Sequence, residues 1–98
     1  MNDPVYLEAA LNLAKINEDD TIESSIRKMY KSAVYKEIDR IILNELVILY
    51  EKAHNEFKKD KSKLNDFFDL EEKLNIKLAS LSIVANAIMN LDEFLTHG

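Results

Sequence analysis

Between Val5 and His97 the sequence contains neither glycine nor proline; Pro4 and Gly98 are the only ones in the chain. Turn-rich β architectures use those residues wherever the chain reverses, whereas helices dispense with them, so the scarcity directs this chain toward helices with short connections. The stretch Ile41–Tyr50 agrees: eight of its ten residues are apolar, Asn44 and Glu45 being the exceptions. A bilayer span needs roughly 20 apolar residues, and the helix-forming flanks argue against a strand. The stretch therefore reads as the middle of a helix on which the rest of the chain packs. The expected fold is all-α: an elongated antiparallel three- or four-helix bundle, with a long C-terminal helical hairpin and two shorter N-terminal helices. Its 98 residues suit a single domain spanning 1–98.

Local signals place the helices. Asp3-Pro4 is a start signal, since Asp can cap free N–H groups and Pro at the first helical position gives up a donor that has no partner there. Tyr6, Leu7, Ala10, Leu11, Leu13 and Ala14 recur at helical spacing, and Asn17 is a stop. Asp20-x-x-Glu23 resembles a capping box, predicting a second helix from about Thr21 that buries Ile22, Ile26, Met29, Tyr30 and Ala33. Farther on the apolar stripe changes side, to Ile38, Ile42, Leu46, Leu49, Ala53 and Phe57, so a break is expected around 31–35. The third helix, roughly 34–59, carries a second stripe of Val34, Ile41 and Ile48 at intervals of seven, which predicts two packing neighbours. After a charged turn at 58–63, Asn65 or Asp66 is a candidate cap for the last helix. Phe67, Leu74, Leu81, Ile88 and Leu95 then repeat every seven residues, with Leu70, Val84 and Leu91 between them and Lys77 as the interruption. That is a coiled-coil-like seam of about 30 residues if unbroken, with Asn75 its weakest point.

The net charge of −5 disfavours generic binding to phosphate-rich surfaces, which depends on Lys and Arg. Its distribution is blocked: acidic at Glu18, Asp19, Asp20 and Glu23 and again at Asp66, Asp69, Glu71 and Glu72, basic at 27–40 and 58–63. Such blocks suit pairing within or between chains as well as plain solvated faces. Without cysteine there is neither disulfide nor thiol nucleophile. Asp3 and Glu8 interrupt any secretory apolar stretch, so a cytoplasmic location is expected.

The sequence offers few chemical constellations. Glu51-x-x-His54 has the spacing of a half-site in carboxylate-bridged metal bundles, but the only other histidine is His97. A solvated pair is the simpler reading. Glu45 falls between two apolar stripes and needs a partner if buried; Lys77 is the obvious one, and such a buried polar pair would fix register. Arg27, Lys28, Lys31, Lys36 and Arg40, interleaved with Tyr30 and Tyr35, are the residues a nucleic acid would meet. No catalytic triad or phosphate-binding glycine loop is visible.

The reading that covers most of these features is a non-enzymatic protein-interaction module: a small helical adaptor, inhibitor, immunity or chaperone-type protein that docks on itself or another protein. Its apolar positions exceed what one copy can hide, with Val34, Ile41, Ile48, Ile76, Ile83 and Phe94 as interface candidates and a homodimer as the simplest outcome. No cofactor is expected. The alternatives are a carboxylate/His metal bundle assembled by dimerisation, using Glu51 and His54, and a nucleic-acid-binding regulator using 27–40.

Overall fold

A computed structural model describes the backbone of residues 4–60 and 75–97, and side chains within 8–60 and 75–91. Among these the chain forms four helices and no strands: α1 (Pro4–Asn17), α2 (Ile22–Val34), α3 (Arg40–Lys59) and α4 (Ile76–His97). The cap and turn sites expected at 61–74, the seam positions Phe67, Leu70 and Leu74, the second acidic block, and the side chains of Phe94, Leu95 and His97 lie outside the described residues.

Short polar side chains set the boundaries. Asn17 ends α1, its side-chain amide donating to the Leu13 carbonyl at 2.9 Å and its oxygen accepting from the Ser32 hydroxyl at 3.2 Å, which ties α1 to α2. The cap of α2 is Thr21, not the expected Asp20: its hydroxyl accepts from the Ser24 N–H at 3.0 Å. Helix α2 ends at Val34 because Tyr35 turns into the left-handed region at φ 65°, its N–H closing on the Lys31 carbonyl at 2.9 Å. Asp39 then opens α3 by accepting from the Ile42 N–H at 2.9 Å. The two helices are thus separate, and α3 begins at Arg40 rather than near 34. Asn75 caps α4, accepting from the Leu78 N–H at 2.6 Å. The expected rod of about 30 residues is thus interrupted at Asn75, the point read as its weakest, where α4 starts.

Tyr35 occupies a conformation that suits glycine, where a Cβ costs roughly 1–2 kcal/mol. The residue is 88% exposed, so little packing offsets that cost. Tyr35→Gly is expected to raise the unfolding free energy by about 0.5–1 kcal/mol, read as a higher urea midpoint. A lower midpoint would show that the ring has contacts in the fold.

The helix at the centre is α4, which packs against each of α1, α3 and α2, most extensively against α1. Its sequence explains the position. From Leu78 to Ser82 five consecutive residues are buried, covering every side of the helix, and Val84, Ala85 and Ile88 extend the buried surface. A helix apolar all round is stable only when enclosed. The two buried serines keep their hydroxyls satisfied within α4, Ser80 donating to Ile76 O at 2.7 Å and Ser82 to Leu78 O at 2.9 Å. The main core joins Leu81, Val84 and Ile88 to Ala10 and Ala14 of α1, Ile26, Met29 and Tyr30 of α2, and Leu43, Leu46 and Tyr50 of α3. A smaller cluster gathers Ala53, Ile76 and Ile83 around Phe57 and Ala79.

Two expectations change here. Ile38, Leu46 and Phe57 of the predicted stripe are buried, but Leu43 and Tyr50 complete the buried side of α3, while Ile42, Leu49 and Ala53 are only half-buried. The molecule is also not elongated. Its extents are 36 × 26 × 20 Å and its radius of gyration is 12.8 Å, close to the roughly 13 Å of a compact domain of about 100 residues. No helix among the described residues is long and apolar enough to cross a membrane.

Candidate interaction surface on the third helix

Because Leu43, Leu46, Tyr50 and Phe57 face inward, the opposite side of α3 faces solvent. It carries Ile41, Asn44, Glu45, Ile48, Glu51, Lys52 and Asn55, all exposed. Ile41 is 75% and Ile48 48% exposed. Seven residues apart, they stand two turns from each other on one side of a rigid 20-residue helix. The second stripe read in the sequence therefore exists as an exposed line and not as a second intrachain contact. Of the other interface candidates, Val34 is half-buried against the main core, and Ile76 and Ile83 are half-buried against Phe57 and Ala79. Outside α3, the large exposed apolar side chains among the described residues are Tyr35 and, on α1, Ile16 at 81%. Tyr30 and Tyr35, grouped in the sequence by their basic neighbours, part company here: Tyr30 is buried and Tyr35 exposed. Only the positive φ separates Tyr35 from the fully enclosed Tyr30, and nothing in the local pattern announces that angle.

The buried Glu45–Lys77 pair is not formed. Glu45 is exposed on the outward side of α3. Lys77 reaches the α1–α2 connection instead, donating to the Asp19 carbonyl at 2.9 Å with the Glu18 carboxylate 3.9 Å away. An ammonium at the start of the central helix thus takes a backbone oxygen, one that the Ser25 hydroxyl also reaches at 3.4 Å, and the negative charge that the acidic connection offers.

Asp19 organises that connection. Its carboxylate accepts from Lys28 Nζ at 2.8 Å, from the Ser24 hydroxyl and from the Asp20 N–H at 2.9 Å, while its own N–H donates to Ser25 Oγ at 2.8 Å. Those donors, Lys28 first, hold the carboxyl far below its ordinary value of 3.8. A depressed folded-state value means that the contribution is present above the unfolded value and is lost as pH falls through and below it. Asp19→Asn is accordingly expected to lower the urea midpoint at neutral pH, the gap from wild type closing as pH drops below about 4. A gap that stayed constant to strongly acid pH would remove this role from the carboxylate.

The basic stretch is largely engaged by the chain's own acids. Arg27 sits 3.3 Å from Glu23, Lys28 2.8 Å from Asp19, and Lys31 2.8 Å from Glu37; Lys36 and Arg40 are exposed. Hydrogen bonding and charge from each partner lower the pKa of Glu37 and raise that of Lys31. Both side chains are solvent-exposed, so the pair adds little stability.

Glu51 and His54 share an open groove of about 270 Å³ with Tyr50 and Asn55. The His54 ring lies against Tyr50 at 5.7 Å between centroids, tilted by 36°. Burial, reinforced by the negative charge of Glu18, pushes the Tyr50 hydroxyl up. Among the described residues no three His, Cys, Asp or Glu side chains are grouped so as to hold a metal ion. No protein-family model, curated protein or solved structure matches the chain.

Proposed function

We propose that this chain is a non-enzymatic protein-interaction module whose docking surface is the outward side of α3, most simply used to pair with a second copy. The observation that supports this reading is the exposure of Ile41 and Ile48 on one line of a helix whose opposite side is anchored in the core. Isolated apolar residues on a surface are ordinary. Two isoleucines in register on a rigid element offer a partner helix the i, i+7 spacing that helix packing uses.

Magnitude bounds the strength. Full burial of an isoleucine contributes about 1.5–3 kcal/mol, and part of each is already covered. Four such side chains across a symmetric contact supply on the order of 5 kcal/mol, less than the roughly 8 kcal/mol of a 1 μM complex before the cost of association. The pairing is therefore weak and concentration-dependent, suited to reversible assembly.

Sedimentation velocity from about 10 μM to about 1 mM tests it. The weight-average mass should rise above the 11.3 kDa of one chain as concentration increases, and Ile48→Asp should hold it at one chain across the series. A wild-type protein that stays at one chain throughout would end the self-association reading.

A further inference from the structure

We infer that the groove beside Tyr50 binds a primary ammonium group on a short alkyl chain, carried by a small amine or by a lysine side chain. This goes beyond the docking reading and stands without it. The groove runs along one helix. Tyr50 and His54 lie one turn apart, and Glu51 and Asn55 each follow one of them by a single position. Tyr50 is buried and His54 half-buried, their rings 5.7 Å apart between centroids, so they form the inner wall. Glu51 and Asn55 are exposed and form the rim. At about 270 Å³ the space is smaller than a usual drug-sized site and suits a group of a few heavy atoms.

The polar groups of this groove are open. Among the described residues no hydrogen bond or ion pair engages the Tyr50 hydroxyl, the Glu51 carboxylate, the His54 imidazole or the Asn55 side-chain amide. Tyr50 matters most, because it is only 8% exposed. A hydroxyl on so enclosed a side chain ordinarily has a partner, and Tyr50 lines a groove in which a ligand can supply one.

Charge decides the class of ligand. Among the described residues Glu51 is the carboxylate of the lining, and no lysine or arginine joins it. After burial, the charge of Glu18 is the second influence that raises the Tyr50 hydroxyl, so the field there is negative, although Lys77 at 3.9 Å offsets part of it. Lys58, one turn beyond His54, is exposed and outside the lining. An ammonium suits this set. Its N–H donors can meet Glu51, Asn55 and the Tyr50 oxygen, and a cation is attracted to aromatic rings. An anion would meet Glu51 with no cation in the lining to offset it. A metal ion would find Glu51 and His54 alone, where a closed site takes about four ligands.

Titration of the isotope-labelled chain with n-butylammonium chloride at low salt, followed by NMR, tests the site. Saturable shifts should centre on the Tyr50 and His54 rings and the Asn55 side-chain amide, with a dissociation constant on the order of millimolar. Glu51→Gln should weaken binding about fivefold and Tyr50→Phe about threefold. Glu23→Gln, on α2 and ion-paired with Arg27, should change nothing. Neutral n-butanol, similar in shape, should bind about tenfold more weakly or not at all. Equal binding of n-butanol overturns the assignment to a cation. Shifts spread over the exposed carboxylates and indifferent to Glu51→Gln overturn the site. Where the site holds, tighter binding of a capped lysine tripeptide than of n-butylammonium assigns the group to a partner's lysine, and the reverse assigns it to a free amine.

Discussion

Leu81→Ala is expected to lower the unfolding free energy by about 3–4 kcal/mol, within the range for truncating a fully enclosed leucine. Leu81 is 0% exposed and sits on the helix that the other three pack against. Its neighbours Ser80 and Ser82 are buried and hydrogen-bonded within α4. Sliding α4 to fill the cavity would disturb the packing on its other sides, so relaxation is limited and the cavity penalty persists. For a domain whose whole stability is of the order of 5–15 kcal/mol, such a loss is large. Urea denaturation followed by far-ultraviolet circular dichroism measures it. A loss below about 1 kcal/mol would mean that α4 is not the enclosed centre.

Ala14→Leu should also destabilise, by about 1–3 kcal/mol, although it adds apolar volume to an apolar position. Ala10 and Ala14 lie one turn apart on α1, both 0% exposed, and the main neighbour of α1 is α4. Ala79 and Ala85 on α4 are likewise 0% exposed. Small side chains on both helices suit close approach of their backbones, and a leucine there would force the helices apart. The same denaturation experiment distinguishes close packing from generic greasiness: a stabilised Ala14→Leu would reveal spare room between α1 and its neighbours.

Those two substitutions mark where the sequence was readable and where it was not. The absence of glycine and proline, together with apolar spacing, was enough for an all-helical chain and for the core positions Ala10, Ala14, Ile26, Met29, Leu81, Val84 and Ile88. The shift of the apolar stripe between α2 and α3 correctly demanded a break. Its mechanism was less legible, because a tyrosine in a left-handed turn carries no compositional warning and Asp39 is one of several acidic residues able to cap. The central role of α4 was assigned to α3 for a related reason. Ile41–Tyr50 is the densest apolar run, yet two of its isoleucines face outward, whereas the serines and alanines of α4 look unremarkable in sequence and owe their burial to tight packing.

The polar assignments failed where long side chains had a choice of partners. Lys77 breaks a heptad seam, which suggested a partner on the third helix. The four-carbon stem instead carries the ammonium to Asp19 O and toward Glu18, groups 58 and 59 positions away in sequence. By contrast Ile41 and Ile48 were identifiable from their interval alone, since the same seven-residue spacing is meaningful whether the line is covered or bare.

The most direct measurement of what covers that line is an isotope-filtered NOE experiment on an equimolar mixture of labelled and unlabelled protein at a concentration that favours pairing. Docking through α3 predicts intermolecular cross-peaks to the methyl groups of Ile48 and Ile41, and none to Ile16, which is more exposed than either but lies on α1. Intermolecular contacts centred on Ile16, or contacts that bypass Ile48 altogether, would contradict it.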